Sequence, residues 1–112
     1  MRKKECDPRG KSAHSAGAKL DSGKIRAGLV VGSFGRALMR VSKVGTDGAE
    51  KYSERGYLHV ENGVSRYTDA LYRHLLMMET EGVDPVSGLH HLDHVAWNAL
   101  AVIELMEREK LK

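Results

Sequence analysis

Between Gly88 and Glu107 the chain reads GLHHLDHVAWNALAVIELME, with three histidines and an aspartate inside five residues and an apolar run after them. Neutral imidazole binds divalent cations and titrates near physiological pH, so the cluster points to metal or proton chemistry. On a helix, His91, His94 and Asn98 stand at i, i+3 and i+7 and project in one column. Upstream, Arg66, Asp69 and Arg73 repeat that spacing, with His74 beside them. An unpaired polar group near a core costs about 1–3 kcal/mol, so the two columns are expected to face each other across one polar pocket. A plainer reading stands beside this one, with each histidine a hydrogen-bonded core residue and Asp69 and Arg73 a surface ion pair. Glu79, Glu81 and Asp84 are further carboxylates, but the expected role of Asp84 is to cap the helix that follows it. Lys24, Arg26 and Lys51 are cations available to phosphate.

Three helices are expected to carry these groups. Phe34, Ala37, Leu38, Val41 and Val44 set the period of a first helix that starts at Ser33 and ends at Gly45. The glycine-rich and charged segment that follows reads as a structured loop with at most a helical turn at Ala49 to Tyr52. A second helix begins after Asn62 and Gly63, capped by Ser65, and runs to about Glu81, with Tyr67, Ala70, Leu71, His74, Leu75 and Met78 as its apolar stripe. Gly82, Pro85 and Gly88 break it. The third starts near Leu89, with Leu92, Ala96, Ala99, Ile103 and Met106 at the centre of its stripe and the histidine column along its edge. Trp97 projects away from that stripe, toward a second subunit. The expected fold class is all-α, a small helical bundle in which a short turn joins two long helices as an antiparallel pair.

The chain has 112 residues, the length of one domain with a modest core. No apolar run is long enough to span a bilayer, and the basic start MRKKECDPRGKSAHSAGAK lacks the apolar stretch of a secretory signal, so cytoplasmic residence is expected. A single cysteine, Cys6, excludes an internal disulfide or a cysteine-based metal cage. Residues 1–27 carry eight Lys or Arg against three acids, leaving ten against twelve for the rest, so the basic balance lies in the leader. Its Ser, Gly and Ala content reads as a disordered leader over residues 1–20, followed by a single helical domain over 21–112. Nucleic-acid binding through that leader is a possible but not a favoured partner interaction. No Walker motif, nucleophile elbow or cysteine zinc knuckle is present.

Taken in order, DSGKIRAGL, GAEKY and SRYTDALYRHLLMMETEGVDPVSGLHHLDHVAWNALAVIE resemble the amino-terminal domain of the phage-encoded dATP/dGTP diphosphohydrolase family. The most specific parts are Asp69, Ala70, Arg73, His74 and Leu75, then Asp84, Pro85, Ser87 and Gly88, then His91, Leu92, His94 and Asn98. The resemblance covers residues 21 to 107. It extends to MazG-like all-α pyrophosphohydrolases, which cut a nucleoside triphosphate into a monophosphate and pyrophosphate with divalent metal held by Glu-x-x-Glu and Glu-x-x-Asp clusters. In the corresponding places this chain offers Asp69, Arg73 and His74, then His91, His94 and Asn98. The resemblance therefore implies a dimeric hydrolase acting on purine deoxynucleoside triphosphates with Mg²⁺ or Mn²⁺. It implies metal contacts from Asp69, His91 and His94, phosphate contacts from Arg66, Arg73, Lys24 and Lys51, and catalytic roles for Asp69, His74 and Asn98. The alternative, which the changed acid clusters favour, is a non-catalytic phage or prophage accessory protein that binds nucleotide or nucleic acid.

Overall fold

The computed structural model describes residues 4–112, so the first three residues of the expected leader lie outside the described residues. Among the described residues the chain is all-helical, with four α-helices and no strand: α1 (Ala27–Ser33), α2 (Gly35–Lys51), α3 (Gly63–Met77) and α4 (His91–Glu109). A 3-10 turn, Gly56–His59, stands between α2 and α3. The chain divides into two units, the first ending at Ser33 and the second spanning Phe34–Lys112.

In the first unit the turns gather around Asp7, whose two carboxylate oxygens accept from the backbone N–H groups of Arg9 and Lys19, both at 2.7 Å. Those bonds, Lys19 first and then Arg9, hold the Asp7 carboxyl below the usual range. Cys6 is free and exposed. The short helix α1, which precedes the expected first helix, buries none of its residues.

In the second unit, α4 is the helix against which both α2 and α3 pack. Helix α2 does not end at Gly45, as the sequence suggests, but continues to Lys51 and absorbs the helical turn expected at Ala49 to Tyr52. The glycine is there for approach rather than termination: a Cβ on Gly45 would meet the Trp97 indole nitrogen at 3.0 Å. Trp97 is accordingly half-buried within the chain and meets Tyr57 and Tyr67 edge-on, with centroids 5.6 and 5.7 Å away. Helix α3 starts at Gly63, two residues before the expected Ser65 cap, after Asn62 in the left-handed region. Gly63 is buried, and a Cβ there would come within 2.9 Å of Leu105 on α4. Arg40 on α2 reaches Asp93 on α4 at 2.9 Å, a half-exposed pair worth at most about 1 kcal/mol.

The buried face of α4 differs from the expected one. His91, Asn98 and Ala101 are its buried residues, whereas Leu92, Ile103 and Met106, placed at the centre of the stripe by their side chains, are 49%, 58% and 52% exposed. At about 100° per residue the buried face is turned by about 120° from the apolar one. The physical reason is the neighbour: α3 carries its half-buried Tyr67, Ala70, Leu71 and His74 to the histidine edge of α4. Leu92, Ile103 and Met106 are left about half in solvent, while Ala96 and Ala99 of the same stripe are half-buried.

Candidate metal centre

The turn between α3 and α4 builds the site. Helix α3 stops at Met77, short of the expected Glu81, and the chain then doubles back: Val83 bridges His90, the Asp84 N–H donates to the Leu89 carbonyl at 2.8 Å, and the His91 N–H donates to Gly82 at 2.8 Å. Gly88 makes this possible at φ +75°, a conformation that costs a side-chain-bearing residue energy. The result returns Glu81 and Asp84 to the first turn of α4. His90, not Asp84, caps that helix, its Nδ1 accepting from the Leu92 N–H at 3.0 Å. Asp84 instead closes its own turn, with Oδ1 accepting from the Val86 N–H at 2.9 Å. This corrects the expected capping role and leaves Oδ2 for other partners.

Three histidines and two carboxylates meet there. His91 has no exposed surface; its Nδ1 lies 2.9 Å from Nδ1 of His74, and its Nε2 lies 3.1 Å from Oε1 of Glu81. Carboxylates accept, so the His91 Nε2 bears the proton in that contact and Nδ1 presents its lone pair to His74. The Asp84 Oδ2 lies 3.9 Å from both His74 Nδ1 and His94 Nε2. The rings of His74 and His94 stack at 4.3 Å and 7°, and the Nε2 of His94 shares a 2.7 Å hydrogen bond with Ser87 Oγ. Donor atoms of His74, Asp84 and His91 all fall within 4.8 Å of one another. Among the described residues, every buried side-chain nitrogen and oxygen has a partner.

Electrostatics fix the charge states. Burial first, then the neighbouring His94, pushes His74 below the ordinary histidine value, with Asp84 opposing. Burial likewise lowers His94 against the pull of Asp84. For Asp84, burial alone would raise the carboxyl, but the Val86 N–H and the charges on His74, His91 and His94 together hold it low. At neutral pH Asp84 is therefore anionic and His74 and His94 neutral, the states in which these groups serve as metal ligands.

Of the residues singled out by sequence, the structure brings His74, His91 and His94 together. Asn98 is buried one turn below, its amide nitrogen donating to the His94 carbonyl at 2.7 Å. Arg66, Asp69 and Arg73 are exposed and not part of this group. On α3, Asp69 points about 140° around the helix from His74, so an upstream column at i, i+3 and i+7 cannot share His74's face. Arg66 donates to the Glu61 carbonyl at 3.3 Å. Lys51, in the last turn of α2, lies over the Tyr52 ring, and Lys24, in the first unit, pairs with Glu5 at 3.5 Å. Glu104 and Glu107 on α4 are exposed and paired with Arg108 and Lys110, both at 2.8 Å. The group that sequence reasoning undervalued is Glu81 with Asp84. The available signal was a Glu-x-x-Asp-Pro turn, Glu81 to Pro85, shortly before the His-x-x-His of His91 and His94.

These features define a class: all-helical proteins in which one helix-turn-helix gathers imidazoles and carboxylates able to hold a cation. The chain belongs to the dATP/dGTP diphosphohydrolase family, whose amino-terminal domain profile matches residues 14–112. No curated protein and no solved structure is significantly similar to it.

Proposed function

We propose that the chain hydrolyses purine deoxynucleoside triphosphates, dATP and dGTP, to the monophosphate and pyrophosphate, with a divalent cation held by His74, Asp84 and His91. The single observation that carries this reading is the convergence of those three donors, within 4.8 Å of one another, in a member of this family. A cation there, Mg²⁺ or Mn²⁺ by the family resemblance, supplies Lewis acidity to phosphate oxygens and to water. The chain's own residues do the rest. Glu81 fixes the orientation of His91, and Ser87 fixes His94. His94, neutral and beside Asp84, is placed to take a proton at Nε2. Arg73, next to His74 in the chain, is exposed and offers a guanidinium to phosphate, with Arg66 two turns earlier as a second contact. Lys51 remains a weaker phosphate contact, Asn98 supports the His94 backbone, and Asp69 is a ligand only if α3 turns from its present orientation.

The protein works as a homodimer, a reading supported by the half-exposed Leu92, Ile103 and Met106 on α4 and the shallow groove that Leu92 and Ala96 form with Ala37 and Val41 of α2. Two contacts support an antiparallel α3–α4 pair: Gly63 of α3 lies against Leu105 near the end of α4, and His74 against His91 at its start. Among the described residues no helix is long and apolar enough to cross a membrane, which is compatible with cytoplasmic residence.

The test is release of pyrophosphate from a panel of deoxynucleotides with and without added metal, comparing wild type with Asp84→Asn. Metal-dependent release from dATP or dGTP, lost in the variant, is expected. A second reading, a non-catalytic accessory protein that binds nucleotide or nucleic acid, is favoured by one observation: the helices carry histidines where the pyrophosphohydrolase resemblance leads one to expect acid clusters. Salt-dependent DNA binding without pyrophosphate release would select it.

A further inference from the structure

We propose that the His74–Asp84–His91 centre selects a first-row transition cation, of the Mn²⁺ to Zn²⁺ series, over Mg²⁺, and that Glu81 is the positioning residue for His91. This rests on the reading of the cluster as a metal centre.

The donor chemistry is the first argument. Mg²⁺ binds oxygen ligands, demands near-octahedral geometry and gives up water reluctantly. Imidazole nitrogen suits Mn²⁺ less than Zn²⁺ but suits every member of that series better than Mg²⁺. Two of the three donors in this group are imidazole nitrogens.

Distance is the second. The two Nδ1 atoms stand 2.9 Å apart. Adjacent nitrogens at right angles around one ion, each bonded at about 2.1 Å, are about 3.0 Å apart. With His91 Nδ1 accepting, His74 Nδ1 bears the proton of this hydrogen bond; once that proton moves to His74 Nε2, the two nitrogens stand at the separation that neighbouring coordination positions require. Asp84 Oδ2, at 3.9 Å from His74, completes the group from the turn.

The third argument is orientation. A ligating histidine usually donates its other ring N–H to a carboxylate, which fixes the tautomer and strengthens the donor nitrogen. Glu81 occupies that place, its Oε1 3.1 Å from the His91 Nε2. His91 is wholly buried, and His74 is stacked on His94, so neither ring has freedom to turn its nitrogen away.

The experiment uses the full chain, stripped with a chelator and titrated calorimetrically with Mn²⁺, Co²⁺ and Mg²⁺ in the absence of nucleotide. Mn²⁺ and Co²⁺ are expected to bind at least about tenfold more tightly than Mg²⁺, and the visible Co²⁺ absorption should shift from that of the hydrated ion as nitrogen enters the coordination shell. Glu81→Gln should weaken Mn²⁺ about 10- to 100-fold while leaving the fold intact. Because a buried His91→Gln change risks unfolding, wild-type imidazole resonances provide the independent readout: substoichiometric Mn²⁺ should broaden those of His74 and His91 first. Equal affinity for Mg²⁺, an unshifted Co²⁺ spectrum, Glu81→Gln at wild-type affinity, or broadening confined to other histidines would each overturn the proposal. If the metal binds as described but no pyrophosphate is released from dATP or dGTP, the hydrolase reading fails and the metal centre stands.

Discussion

His91 engages both ring nitrogens while having no exposed surface, one with Glu81 and the other with His74. Such an arrangement makes the centre sensitive to protons. Burial keeps His74 and His94 below the ordinary histidine value, so the native state binds fewer protons than the unfolded one. Their contribution to stability is therefore complete above about pH 6.5 and is lost as pH falls through and below that value. Thermal midpoints measured from pH 8 to pH 5 should fall over that lower range in metal-free protein. In the proposed centre protons and cation would compete for the same lone pairs, so added Mn²⁺ should move the acid limb of stability, and of any pyrophosphate release, toward lower pH. An acid limb unmoved by metal in folded protein would remove histidine from the coordination shell. Carboxylate substitutions separate the two acids named by sequence and structure: Asp84→Asn should reduce Mn²⁺ affinity more than Asp69→Asn, and the reverse order would return the metal to the exposed face of α3. The histidines were legible in sequence because a repeat of three and four residues survives folding as one column. Asp84 and Glu81 were not, because their contribution depends on how the turn between α3 and α4 doubles back, and no periodicity encodes that.

At the scale of elements, the existence of helices was easier to read than their ends or faces. Glycine at 45 resembles a stop signal, yet α2 continues through it because a helical glycine costs only about 0.5–1 kcal/mol and here it admits the Trp97 indole. This gives a prediction with a definite sign. On a free helix surface Gly45→Ala should stabilise by that amount, but here the new methyl meets Trp97 at 3.0 Å and forces the indole to shift. Overpacking of this kind costs about 1–3 kcal/mol, so the expected net change is a loss of about 1 kcal/mol, read from the urea midpoint with Trp97 fluorescence as probe. A gain in stability would mean that α2 and α4 do not approach as closely as described. The face of α4 was misjudged for a related reason. Residue type nominates Leu92, Ile103 and Met106 as core, whereas the partner helix α3 supplies a histidine, and imidazole paired with imidazole settles which edge is covered.

For the whole molecule, the consequence is a core of small extent. Within the second unit, Val44 and Ala101 are the buried apolar side chains, while Leu92, Leu100, Ile103 and Met106 along α4 are about half exposed or more. A row of apolar residues at helical spacing loses roughly 25 cal/mol of stabilisation for each Å² left in water, so a second copy laid along α4 and the adjoining groove of α2 would gain what the single chain leaves unused. The covering surface on the other copy would be the same row, since a twofold interface is self-complementary. Sedimentation of the full chain across a hundredfold range of concentration should then show a dimer that dissociates on dilution. Ile103→Glu places a carboxylate in that row, away from the histidine edge, and should shift the equilibrium to monomer while the Mn²⁺ affinity of the helix-turn-helix stays within about threefold of wild type, because no donor group lies on that face. A wild type that sediments as a monomer at every concentration would overturn the dimer. A variant that loses metal together with self-association would show instead that the centre depends on the partner copy, since α4 carries the histidines on one edge and the open apolar row on another.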